Sequence, residues 1–188
     1  LFSTASWSRC AARALAAATP AQLCSADPAG APELRRQIAD YLAKYRGIRC
    51  DPHDIVVTTG IRHALDLIAR SIVRDGDKVC LEEPGYPVAR AVFASQGARV
   101  VGVEVDEDGL IIGQIPDGTR LIYVTPAHQF PLGMPMSMAR RHALLERAQQ
   151  LGAIIIEDDY DSAFRYEGRP EDALQSMDRY GIVAHVGS

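Results

Sequence analysis

Four acids close a run of isoleucines in IIIEDDYDSAFRY, residues 154–166: Glu157, Asp158, Asp159 and Asp161. Side chains alternate along a strand, so a strand running through residue 160 sends Asp158 and Tyr160 to one side and Asp159 and Asp161 to the other. A carboxylate beside a phenol suits a heteroaromatic ligand, the acid keeping a ring nitrogen protonated and the phenol bonding a ring oxygen. Acids at this spacing also suit a divalent metal, as in phosphoryl-transfer sites. A set of solvated caps paired with Arg165 or Arg169 needs no ligand. Spacing alone leaves the three open.

Three other stretches carry residues able to work with such a ring. In VTTGIRHAL, a glycine between a strand and a helix lets backbone approach a ligand, and the helix start attracts an anion. Thr59, Gly60, Ile61 and Arg62 can hold a phosphate there, or simply make a tight turn. In EEPGYP, Tyr86 sits between Gly85 and Pro87, placed to stack on a planar ring or to pack under its own loop. In VTPAHQFPLG, His128 and Gln129 lie between prolines that stiffen the loop. No further ligands stand at metal-binding spacing, so orienting a ligand by hydrogen bonds is the economical reading. His142, flanked by Arg140 and Arg141 on a helix, reads as solvated.

These stretches need a scaffold that brings them to one edge. Pro32 opens a helix with Leu34, Ile38, Tyr41, Leu42 and Tyr45 at helical spacing, closed by Gly47. DIVVTTG reads as a strand, followed by a helix with Ile61, Ala64, Leu65, Ile68 and Ile72 inward. KVCLEEPGYP is a second strand, then a helix over 87–96. ARVVGVEV and TRLIYVTP are further strands. Ser137 caps a helix burying Leu144, Leu145, Ala148 and Leu151. GAIIIEDDY and GIVAHVGS complete the set. Alternating strands and helices, with strands apolar almost throughout, predict an α/β fold: a mostly parallel sheet covered on both faces. Ligands in such sheets bind beyond the carboxyl ends of the strands, where Thr59, Glu83, Thr125, Glu157 and Val186 fall.

The 188 residues, 47% hydrophobic and 23% charged, suffice for one domain with a substantial core. A net charge of −4 without a basic block makes a poor nucleic-acid or membrane binder. Cys10, Cys24, Cys50 and Cys80 lack metal or redox spacing and read as reduced, intracellular cysteines. No apolar run is long enough to span a bilayer. The alanine-rich stretch at 11–19 carries Arg13 and ends at Pro20, as a helix rather than a signal peptide does. A start at Leu1 and a stop at GIVAHVGS, where a strand hands over to a loop, suggest a fragment.

Together, DPAG (27–30), VTTG with HALDL (57–67), EEPGYP (82–87), VTPAHQFPLG (124–133) and IIIEDDYDSAFRY resemble the large domain of fold-type I pyridoxal phosphate enzymes. They resemble most closely the aminotransferase-like domain of MocR-type regulators of the GntR family. The resemblance covers essentially the whole chain. It implies a three-layer α/β/α sandwich and a single domain over 1–188, the partial large domain of an aminotransferase class I/II protein. It implies pyridoxal 5'-phosphate as cofactor, with Asp158 on the pyridine nitrogen, Tyr160 on the phenolic oxygen and Tyr86 stacked on the ring. Gly60, Ile61 and Arg62 then bind the phosphate, and His128 and Gln129 face the cofactor. A cytoplasmic homodimer is implied, with an amino-compound effector or substrate and DNA contacted only through a winged helix upstream.

Departures from that pattern are specific. Ile61-Arg62 stand where many relatives have Ser-Gln, Ser25-Ala26 where Tyr-Gly precedes DPAG, and Leu132 where Thr is usual. The family's covalent lysine follows VGS. This chain's lysines are Lys44, on the outer face of a helix, and Lys78, at the opposite edge of the sheet, so the 188-residue chain is expected to be catalytically inactive. A free-standing aminotransferase acting on an amino acid such as 2-aminoadipate is the alternative. A degenerate domain kept for dimerisation is the third reading.

Overall fold

The computed structural model describes residues 3–20, 22, 27–161 and 172–188. Expectations on Cys24, Ser25, Ala26, Arg165 and Arg169, and on the 162–166 part of the acid-rich motif, lie outside these residues. Among these residues, five α-helices and six strands follow in chain order: α1 (Thr4–Ala17), α2 (Pro32–Tyr45), α3 (Ile61–Ile72), β1 (Lys78–Glu83), α4 (Pro87–Ser95), β2 (Arg99–Asp106), β3 (Gly109–Leu110), β4 (Thr119–Val124), α5 (Met138–Leu151), β5 (Ile154–Asp159) and β6 (Val183–Gly187).

The strands form one sheet in the order β3-β2-β1-β4-β5-β6. All pairs are parallel except the short β3, which runs antiparallel to β2. Apolar runs such as Val79–Leu81, Leu121–Val124 and Ile155–Ile156 are buried because helices cover both faces. On one face Leu65 and Ala69 of α3 and Ala89, Val92 and Phe93 of α4 pack on Leu81, Tyr123 and Ile156. On the other, Leu144, Leu145 and Ala148 of α5 pack on Cys80, Ile122, Val124 and Ile155. The fold is thus the expected three-layer α/β/α sandwich. Ser137 caps α5 by accepting from the Arg140 amide, and Gly152, at φ 63°, ends it.

Several expectations change. The stretch 54–60 is not a strand. After a 3-10 turn at Pro52–Asp54 it runs extended, and its Val57 amide donates to Ala29 O at 2.8 Å instead of to the sheet. The partner is the DPAG turn, whose Gly30 (φ 100°) lies so close to Val57 that a Cβ would sit 2.6 Å from the valine side chain. The face of α2 expected inward is largely outward: Leu34, Tyr41 and Tyr45 are exposed, and the buried residue is Arg35. Arg35 turns inward because Asp27 of the same DPAG turn accepts its guanidinium at 2.7 Å. The two-residue β3 carries too little pattern to be foreseen. Among the described residues, no helix is long and apolar enough to cross a membrane.

Candidate functional site

The carboxyl ends of β1, β4, β5 and β6 meet at one edge, and the register decides what faces what. Tyr123 on β4 pairs with Ile156 on β5. Asp158, two residues further along, therefore shares the side of the sheet that Tyr123 faces. The Tyr123 hydroxyl donates to Asp158 Oδ2 in a short hydrogen bond. Both groups are buried. Burial pushes the Asp158 carboxyl up to about 6, the hydrogen bond from Tyr123 opposing it in part. Burial first, then the charge of Asp158, holds the Tyr123 phenol above its usual range and keeps it a donor.

The other acids face away. Glu157 accepts from the Leu174 and Gln175 amides at 2.7 and 3.0 Å and lies 3.2 Å from His185 Nδ1. Burial opposes its ionisation, yet the His185 ring and the two amides outweigh this and hold its carboxyl below the usual range. Asp159, the last residue of β5, lies 2.8 Å from Arg46 Nε, an ion-pair distance though off the line of a hydrogen bond. Asp161 faces His128, whose Nδ1 is 2.8 Å from each carboxylate oxygen. So alternation separates the acids, and among the described residues no three potential metal ligands converge.

Two proline loops overhang the edge. Tyr86 is the N-cap of α4, and its ring meets Phe130 edge-on at 5.5 Å. Phe130 in turn meets Tyr160 edge-on at 6.1 Å, so three rings line up from the β1 loop to the end of β5. Tyr160 lies just past the strand, which ends at Asp159 rather than 160, and burial with the nearby Asp161 and Asp158 charges raises its phenol. Gln129 is buried, its side-chain amide donating to Pro84 O at 2.8 Å and Phe130 O at 2.7 Å. It ties the loops together and does not present itself to a ligand. His128 is half-buried.

Gly60 caps α3 at φ 99°, a conformation that disfavours any side chain although the space beyond is open. The Ile61 and Arg62 amides lie in the first turn, ahead of the helix's own hydrogen bonds. Arg62 is exposed beside them. The Thr59 amide donates to His63 Nδ1 at 3.2 Å, fixing the turn. The edge thus presents a buried carboxylate, an aromatic row and a helix start. A planar cation with an anionic arm has matching chemistry, so these residues fit a phosphorylated pyridine ring. Sequence reasoning missed Tyr123, Phe130 and Glu82. Tyr123 looks like one more apolar strand residue, and only its register with Ile156 gives the hydroxyl a partner.

Residues 4–186 match the sequence family described as aminotransferase class I and II. The probable rhizopine catabolism regulatory protein MocR of Rhizobium meliloti is 42% identical over 160 residues, 85% of this chain and 32% of its own length. The HTH-type pyridoxine biosynthesis transcriptional regulator PdxR of Corynebacterium glutamicum is 36% identical over 161 residues, 83% of this chain and 35% of its own length. Among solved structures, an archaeal alanine:glyoxylate aminotransferase matches with a TM-score of 0.87 at 36% identity, covering 98% of this chain and 48% of that one. The α-aminoadipate aminotransferase LysN of Thermus thermophilus, complexed with N-(5'-phosphopyridoxyl)-L-leucine, matches with a TM-score of 0.85 at 28% identity, covering 100% of this chain and 49% of that one. The chain therefore spans about a third of these curated relatives and about half of these solved chains. With a family match running nearly end to end over a parallel α/β sandwich, the chain belongs to the aminotransferase class I and II family.

Proposed function

We propose that these residues form the pyridoxal phosphate-binding, effector-sensing domain of a GntR/MocR-type transcriptional regulator. The observation that carries the cofactor half is Asp158. It is a buried carboxylate, bonded by Tyr123, at the carboxyl end of β5. Its charge would hold the pyridine nitrogen protonated, Tyr86 would stack on the ring, and Tyr160 would bond the phenolic oxygen. The Gly60, Ile61 and Arg62 turn would take the phosphate, and His128 would border the ring from its loop. Gln129 would act through that loop. The bound cofactor would supply an electron sink toward an amino compound.

The regulator half is supported by the relatives above, MocR and PdxR, both named as regulators. On this reading a winged helix precedes these residues, the covalent lysine and small domain follow, and the protein works as a homodimer that passes the state of an amino-compound effector to DNA. The two lysines present do not substitute for the covalent one. Lys78 Nζ donates to Asp117 O at 2.8 Å at the amino end of β1, and Lys44 lies over the Tyr45 ring on the exposed side of α2.

Titration of the full-length protein with pyridoxal phosphate should give a visible absorption band, and adding the effector should change its affinity for its own upstream DNA. No band with the lysine present would favour a domain kept for dimerisation. Transaminase turnover without DNA binding would favour the free-standing enzyme, the reading that the aminotransferase structures support.

A further inference from the structure

Glu82 stands at the end of β1 beside Glu83, and only one of the two faces solvent. Glu83 pairs with Arg90, whereas Glu82 is 2% exposed. Its Oε2 lies within reach of three donors: the Thr125 hydroxyl at 2.6 Å, the Thr125 amide at 3.2 Å and the Gln129 side-chain amide at 3.4 Å. Its Oε1 is buried without a hydrogen-bond partner among the described residues. The same three residues knot the overhanging loops. Gln129 also reaches Pro84 O and Phe130 O and accepts from the Leu132 amide, and the Phe130 amide donates to Thr125 Oγ1. Gly85 folds back so closely that a Cβ would lie 2.2 Å from Glu82 O.

We propose that Glu82 is a positioning residue whose uncharged acid form fastens the loop carrying Tyr86 to the loop carrying His128, and whose ionisation loosens both. With the donors crowded on one oxygen and the other without a partner among the described residues, the uncharged acid leaves only a neutral hydroxyl unsatisfied. A carboxylate would leave a charged oxygen buried and unpaired. The surroundings agree. Asp158 on β5 adds a second acid, and the Tyr123 and Tyr160 phenols face the same region. On the α5 side, Arg141 directs its guanidinium to the carbonyls of Pro126, Met136 and Asp172. Burial pushes the Glu82 carboxyl up to about 7 against the bonds from Thr125 and Gln129.

Glu82→Gln keeps the neutral carbonyl oxygen that accepts from Thr125 and Gln129. Hydrogen exchange of the amides over 125–134 in the full-length protein tests the idea, comparing wild type with E82Q at about pH 5.5 and about pH 8.5. Equal protection is expected at the lower pH and several-fold faster exchange in wild type at the higher. Glu82→Ala, which removes the acceptor, should exchange faster at both. The proposal is overturned if E82Q does not fold or loses protection at the lower pH, because the charge would then be needed. Identical behaviour of wild type and E82Q at both pH values, or an E82A variant as protected as wild type, overturns it too. Both proteins are compared without cofactor, so occupancy of the ring site does not enter the readout.

Discussion

Among the described residues, the Tyr123 hydroxyl supplies the hydrogen bond to the Asp158 side chain, and it favours the charged form that a protonated ring needs. Removing it in Tyr123→Phe sends the Asp158 carboxyl further up, so less of it is ionised at neutral pH. We expect pyridoxal phosphate affinity to fall about tenfold, the value of one hydrogen bond to a charged group. Asp158→Asn should cost more, and adding Y123F to it should cost nothing further, since both act through one carboxylate. Fluorescence titration of the full-length variants measures all three, and an unchanged affinity in Y123F refutes the linkage. Asp158 was legible in the sequence because strand alternation is a local rule. Tyr123 was not, because its partner is set by the β4–β5 register, a pairing between segments 30 residues and more apart. Glu82 and Glu83 look alike in sequence for the same reason: a loop from residues 125–134 covers one and not the other.

At the scale of elements, the edge is held by ion pairs that composition suggests are solvated. Arg46 at the end of α2 lies against Asp159 on β5, with side chains 3% and 2% exposed. The Arg46 carbonyl also accepts from the Ala173 amide at 3.1 Å, so α2 is tied to the sheet at its C-terminal end. Arg46→Met should destabilise the fold by about 3–5 kcal/mol, since it strands a buried carboxylate. Arg35→Met should cost about 1 kcal/mol, because its partner Asp27 is 38% exposed and can hydrate. Urea denaturation separates the two, and equal losses would contradict the burial argument. Helix periodicity had pointed Leu34, Tyr41 and Tyr45 inward, yet these buried arginines fix the orientation of α2. Periodicity finds a helix and its apolar stripe, but a tertiary ion pair decides which side the rest of the protein meets. DIVVTTG failed as a strand on similar grounds. Its β-branched run has the right propensity, and its backbone is committed to the DPAG turn.

For the molecule as a whole, the acids at this edge give stability an unusual dependence on pH. Glu82 and Asp158 are raised by burial, to about 7 from 4.5 and to about 6 from 3.8. The native state therefore binds more protons than the unfolded chain between about pH 4 and pH 7, and stability falls as pH rises through that window. The slope is at most about 1.4 kcal/mol per pH unit for each proton. Glu157, held below 4.5, has the opposite sign: its contribution is present above its unfolded value and is lost as pH falls below it. The two trends oppose each other only at about pH 4, so the maximum lies at the acid end of that window. Denaturation midpoints measured across this range should decline toward neutrality in the cofactor-free protein. The decline should flatten in the E82Q/D158N double variant, while Glu157→Gln should flatten only the acid side. A cation at the ring nitrogen favours ionised Asp158, so bound pyridoxal phosphate should also reduce the decline, by the Asp158 share alone. A midpoint that instead rises from pH 5 to pH 7 in the cofactor-free protein would mean that these two carboxyls are charged in the folded state, and the neutral-acid role assigned to Glu82 would fall.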